Sequence, residues 1–304
     1  MSWTVPSVRV KPLWHKAVTA AAAALVLSGP AFSGEVAGTA HAAPPPQSHL
    51  YTPSNNGRVD VGESVLISGG GYEQTGPDAL TDYLVSVDGG TTWNAGYRTA
   101  TVGLGGETGI MQALWAYEFT PQEPGVYTIV SRVDTATEQG QVSAPRTVYV
   151  GVPAPTPGAC YQCTFYTYSP VYEEFENQRV ELGLRFRVDR PGSVTRIVTS
   201  WNTNEASRVR LWRGDGTLLA DRQVSTPYAE PFTTPVPVVP GEEYVASFTS
   251  WRGRYRITEN LFTATVVAAP FVLPAHAGVY SYDDGFPTQA WNDSHYWVTP
   301  EFQS

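Results

Sequence analysis

The sequence predicts an all-β protein, an immunoglobulin-like sandwich followed by a jelly-roll-like β-sandwich. Composition, alternation of apolar and polar residues, and the spacing of turns all point that way. Charged residues make up 15% of the 304 residues, against 28 Gly and 25 Pro, whereas an average soluble domain is roughly 25% charged. A helical bundle needs Ala, Glu, Lys and Leu in quantity; short strands joined by tight turns suit this composition better. The net charge of −9, from 19 basic and 28 acidic residues, gives no positive footprint for nucleic acid.

Residues 1–42 carry the pattern of a secretory signal peptide. Arg9, Lys11 and Lys16 form a positive start, and the apolar stretch Ala17 to Val26 is shorter than the about 20 residues needed to span a bilayer. Ala40-His41-Ala42 fits a cleavage site, with Ala31-Phe32-Ser33 as an alternative. The expected mature chain begins at Ala43, is extracellular and makes no membrane contact after cleavage. It keeps 16 Arg and no Lys.

Residues 43–150 form the first predicted domain. Ser64 to Ser68, Tyr83 to Val87, Leu114 to Phe119, Val126 to Val133 and Thr147 to Val150 alternate as strands. Asp88-Gly89-Gly90 supplies the positive φ angles of a hairpin turn. The stretch Val85 to Trp93, Trp115 and Pro124 to Ile129 resemble immunoglobulin-like accessory domains of bacterial exported proteins. The dimerisation domain of sulfite-oxidase-type enzymes is similar, but the catalytic domain of such an enzyme is absent. Residues 151–159, rich in Pro and Gly, cannot continue a strand and mark a linker. Few contacts are expected to cross it.

Residues 160–304 form the second predicted domain. Val180 to Val188 alternates over a full strand, and Val194 to Trp201, Val209 to Trp212, Glu243 to Phe248 and Tyr296 to Val298 continue the pattern. Three stretches, Glu181 to Phe186, Leu211 to Ala220 and Pro240 to Ser247, resemble the bacterial domain-of-unknown-function 4082 family. The likeness continues through Gly253-Arg254-Tyr255, Gly278 to Tyr282, Phe286-Pro287 and Tyr296-Trp297-Val298, and spans about residues 163–302. Asn202 to Ser207 departs from the family, which has a loop rich in Gly, Thr and His there. The resemblance implies a jelly-roll-like accessory domain of an exported protein and brings no established activity.

Cys160-Tyr161-Gln162-Cys163 holds the two cysteines of the chain. Export and a β setting favour a structural disulfide over redox work or a zinc site. Among the histidines, His295 reads as a satisfied surface residue. Glu173, Glu174 and Glu176, with Asp283, Asp284 and Asp293, read as solvated loop charges. Calcium held by Asp283, Asp284 and Asn292 is the alternative, and a glycosidase pair comes last. No cofactor is otherwise expected.

Aromatics in loops are the remaining signal. Trp251 stands beside Arg254 and Tyr255, and Trp291 beside Asn292. Flat rings stack on the apolar faces of sugars while planar polar groups take the hydroxyls. Trp212 and Trp297 lie in alternating strands and are expected in the core. The leading expectation is therefore a non-catalytic accessory protein that binds extracellular or cell-wall polysaccharide. A structural or adhesive spacer without a small ligand is the rival, and a glycan-active enzyme ranks third.

Overall fold

The computed structural model describes residues 44–103, 111–199, 206–224 and 231–304. The expected leader, Trp201 and most of the Asn202–Ser207 loop lie outside these described residues.

Strands dominate, and low charge with frequent Gly and Pro is the reason. The first nine are β1 (Gln47–Thr52), β2 (Gly57–Val59), β3 (Val65–Tyr72), β4 (Leu80–Ser86), β5 (Asn94–Ala95), β6 (Tyr97–Gly103), β7 (Met111–Phe119), β8 (Gly125–Thr135) and β9 (Arg146–Val150). They form a four-stranded sheet, β1-β3-β7-β6, and a five-stranded sheet, β2-β9-β8-β4-β5. Ile67, Val85, Trp115, Ile129 and Val133 fill the core of this sandwich. The Asp88-Gly89-Gly90 turn forms as expected: Gly89 and Gly90 have φ of 75° and 99°, and the Asp88 carboxylate accepts from the Thr91 and Thr92 amides.

Twelve more strands follow the Pro-rich segment. They are β10 (Tyr172–Phe175), β11 (Val180–Val188), β12 (Gly192–Thr199), β13 (Ala206–Arg213), β14 (Leu218–Gln223), β15 (Val236–Val238), β16 (Tyr244–Ser250), β17 (Arg254–Ile257), β18 (Val266–Ala268), β19 (Phe271–Leu273), β20 (Gly278–Ser281) and β21 (Val298–Gln303). A seven-stranded sheet runs β14-β13-β16-β11-β19-β18, with β20 also paired to β11. The three-stranded sheet β15-β12-β21 and the pair β10-β17 complete the second sandwich. Its core is built on Leu182, Leu184, Phe186, Phe248, Phe271 and Phe302. Cys160 and Cys163 form a disulfide, and the backbone around it pairs with the C-terminal strand through Cys163 and Phe302.

The two sandwiches are in extensive contact, so the expectation of few crossing contacts does not hold. Residues 43–304 cluster as one unit. Alternation along β3 explains this physically, because successive strand residues face opposite sides of a sheet. Ile67 belongs to the first core, whereas its neighbour Leu66 and Ala116 of β7 belong to the second. The Leu66 amide donates to the Thr265 carbonyl at 2.8 Å, and the Thr265 amide donates to the Ser64 carbonyl at 2.9 Å. Glu63 accepts from Arg187 at 2.8 Å and from Thr265 Oγ1 at 2.9 Å. Arg58 ties the Pro-rich segment down by donating to the carbonyls of Asp189 and Pro155.

Candidate functional site

Where the outer face of the β1-β3-β7-β6 sheet meets the second sandwich, a cleft of about 690 Å³ opens. Small side chains make the space. Ser68, Ala116 and Tyr97 lie in one cross-strand row, and Leu114 faces Ala100 in the next. Residues directly opposite one another on neighbouring strands share a face, so this row forms a shallow floor with Tyr97 at its edge. The opposite wall comes from residues 165–172 and 258–268 of the second sandwich.

Tyrosines dominate the walls. Tyr51, Tyr97, Tyr166, Tyr168 and Tyr172 all line the cleft. Tyr166 is 70% exposed, Tyr172 57%, Tyr168 52% and Tyr97 49%, so each leaves part of its surface open to a ligand. Tyr51 and Tyr168 stack at 4.7 Å, one ring from each sandwich. Tyr168 meets Tyr166 edge-on at 5.5 Å, and Tyr166 meets Trp297 at 6.3 Å. The result is an aromatic wall that crosses the boundary between the sandwiches.

Several hydrogen bonds hold this wall. Thr258 Oγ1 donates to the Pro170 carbonyl at 2.6 Å and accepts from Trp297 Nε1 at 3.0 Å. Trp297 adopts φ 56°, a left-handed conformation rare for a bulky side chain. It is half-buried, not in the core position expected of it, and supports the wall through Tyr166 and Thr258 without itself lining the cleft. Tyr51 is set by its hydroxyl, which donates to Gln112 Oε1 at 2.8 Å. Its backbone is set by Arg146, whose guanidinium donates to the carbonyls of Leu50, Tyr51 and Pro53. Burial raises the Tyr51 hydroxyl above its ordinary pKa. Tyr97 rises too, by burial first and then by the charge of Glu118.

His295 lies behind the wall and corrects the surface reading. It is 2% exposed and packed between the rings of Phe165, Phe262 and Trp297. Its Nε2–H donates to the Val298 carbonyl at 3.3 Å, and Nδ1 has no partner. Burial pushes its pKa down to about 4.

The residues singled out from sequence fare unequally. Trp251 and Trp291 are 63% and 47% exposed, and Asn292 is exposed too, but none of the three lines the cleft. Arg254 is exposed and sits over the Phe175 ring. Tyr255, expected to contact a ligand, is buried at 6% exposure. It alternates inward with Ile257 of β17 and donates its hydroxyl to Glu176. That burial, followed by the Glu176 contact, drives its pKa upward. Of the three residues considered for calcium, Asp284 has its carboxylate held by Arg179 and Arg210. Asn292 spends its main-chain carbonyl on the Asn260 amide. Among the described residues, no group of three or more His, Cys, Asp and Glu is placed to hold a metal ion. Trp212 is buried as expected and donates Nε1–H to Ser247 Oγ at 2.8 Å.

Fold and site together describe an all-β protein of two packed sandwiches with an aromatic cleft between them. Residues 167–298, within the second sandwich, match the family model described as a domain of unknown function, DUF4082. No curated protein matches the chain. Among solved structures, the chain is similar to the fibronectin(III)-like modules of Clostridium thermocellum CbhA, at 12% identity and a TM-score of 0.25, over 64% of this chain and 91% of that one. A carbohydrate-binding module of the β-sandwich superfamily matches at 12% identity and a TM-score of 0.23, over 76% and 96% of the two chains. A Bacteroides ovatus SGBP-B, solved with a mixed-linkage heptasaccharide, matches at 12% and 0.21, over 64% of this chain and 50% of that one. Likeness this distant carries no function across. No helix among the described residues is long and apolar enough to cross a membrane.

Proposed function

We propose that this is a secreted, non-catalytic accessory protein that binds extracellular or cell-wall polysaccharide in the cleft between its sandwiches. The observation that carries the reading is the tyrosine-walled cleft, with four rings about half exposed or more around an apolar floor. Tyrosine offers a flat apolar face for a sugar ring and a hydroxyl for its polar edge. Ser68, Thr99, Thr167 and Asn260 add further polar groups to the lining. A glycosidase needs two carboxyl groups roughly 5–10 Å apart, whereas Glu259 is the single carboxylate among the described lining residues. That contrast favours binding over hydrolysis. Trp251 with Arg254, and Trp291 with Asn292, are proposed as peripheral sugar contacts outside the cleft.

Retention on insoluble chitin, cellulose and cell-wall glycan tests this reading. Tyr168→Ala and Tyr166→Ala are expected to weaken retention about tenfold each, on the order of one stacking contact. Their melting temperatures should stay near that of the parent, because both residues are half exposed or more. Parent and variants that behave alike on every glycan would exclude the cleft as the binding site.

A further inference from the structure

Resting on the cleft as a glycan site, we propose that its ligand is an uncharged polysaccharide and that polymers bearing carboxylates or sulfates are excluded. Beyond Lys16 the chain has no lysine, so a polyanion would have to be held by arginine. Those guanidiniums are largely committed. Arg98 pairs with Asp78, Arg187 with Glu63, Arg196 with Glu301 and Arg210 with Glu181. A paired arginine presents little net charge, and freeing it would leave its carboxylate partner unpaired.

The cleft follows the same rule. Arg146 is the one cation among the described lining residues. Its NH1 donates to the Tyr51 and Pro53 carbonyls at 3.0 and 2.8 Å, and its NH2 to Leu50. The group that would grip an acidic sugar therefore serves the protein backbone instead. Glu259 brings a negative charge to the same lining, and the chain as a whole is at −9. Like charges across an interface select against a partner. What remains for recognition is uncharged: tyrosine rings and hydroxyls, the Asn260 amide, and the apolar floor at Leu66, Leu114 and Ala116. That surface matches a neutral sugar chain with exposed C–H faces.

Affinity electrophoresis of the full secreted chain, at low and high salt, tests the proposal. Neutral arms are hydroxyethylcellulose, galactomannan and glycol chitin with its amines acetylated. Acidic arms are polygalacturonate, alginate and dextran sulfate. The expected result is retention by at least one neutral polymer, changing less than about twofold with salt, and none by the acidic ones. Tyr168→Ala should reduce that retention about tenfold, with the more exposed Tyr166→Ala as the second variant should the first fold poorly. Salt-sensitive retention by an acidic polymer, lost in either tyrosine variant, overturns the neutral-ligand proposal and leaves the cleft standing. Retention by no polymer, or retention unchanged in both tyrosine variants, overturns the cleft itself and this proposal with it.

Discussion

Protonation of His295 should destabilise the protein across mildly acidic pH. The imidazole sits among three aromatic rings with Nδ1 unpartnered, so its charged form has neither water nor a counter-ion. Burial accordingly depresses its pKa from 6.5 to about 4. In the unfolded chain the group takes up a proton as pH falls through 6.5; in the folded chain it stays neutral until about 4. Folding stability is therefore intact above 6.5 and lost progressively between 6.5 and 4. At about 1.4 kcal/mol per pH unit, the loss reaches about 3 kcal/mol at the acid end. That corresponds to about 6–12 °C in melting temperature for a chain of this size. Glu181 acts in the opposite sense. Burial first raises its pKa, against hydrogen bonds from Ser247 and Thr249 and the nearby Arg210, so it gains relative stability as it protonates. Asp88, Asp215 and Asp284 have lowered pKa values and lose their contributions as pH falls below the usual carboxylate range. Comparing the parent with His295→Phe cancels these common contributions. Thermal unfolding from pH 7.5 to 4 should show the parent falling relative to the variant, most steeply around pH 5–5.5, about midway between the two pKa values. Parallel curves for the two proteins would refute the burial argument.

Three further outcomes follow from the packing. Trp212→Ala should cost about 3–5 kcal/mol in thermal unfolding, as for other core truncations, while leaving glycan retention unchanged, because Trp212 packs on Phe286 and bonds Ser247 away from the cleft lining. Residues 43–304 should unfold in a single calorimetric transition, since Glu63 joins Arg187 and Thr265 across the sandwiches; Glu63→Ala should lower stability by about 1–3 kcal/mol, and two separate transitions in the parent would show that the cores are independent. Replacing Cys160 and Cys163 by Ala should cost about 2 kcal/mol, the loop-closure estimate for so short a ring, with the fold retained by circular dichroism.

Long alternating strands were readable from the sequence alone. Val180 to Val188 was predicted with the limits it has as β11, because nine residues of pattern outweigh local noise. Shorter strands were hidden. Arg254-Tyr255-Arg256-Ile257 alternates over four residues only, and beside Gly253 it resembled an exposed turn. Its own period, arginines out and Tyr255 and Ile257 in, carried the signal that Tyr255 is core. His295 gave no such warning. The residues that bury it, Phe165 and Phe262, are remote in sequence, and a single chain does not display such pairings.

The cleft was hidden for the same reason, although both of its sides left traces. On one side, Val65-Leu66-Ile67 is apolar at consecutive positions, the pattern of a strand buried on both faces. A free-standing sandwich does not need Leu66 covered; a docked one does, and Leu66 is 4% exposed in the second core. On the other side, Phe165, Tyr166, Tyr168 and Tyr172 crowd into eight residues around Pro170. A proline-interrupted aromatic run supports no regular strand over its length and carries no periodic signal of an element. Phe165 enters the second core, while Tyr166, Tyr168 and Tyr172 remain half exposed or more. Local pattern thus marks the two faces separately. The site exists only because the chain folds one onto the other, with Tyr168 coming to rest on Tyr51.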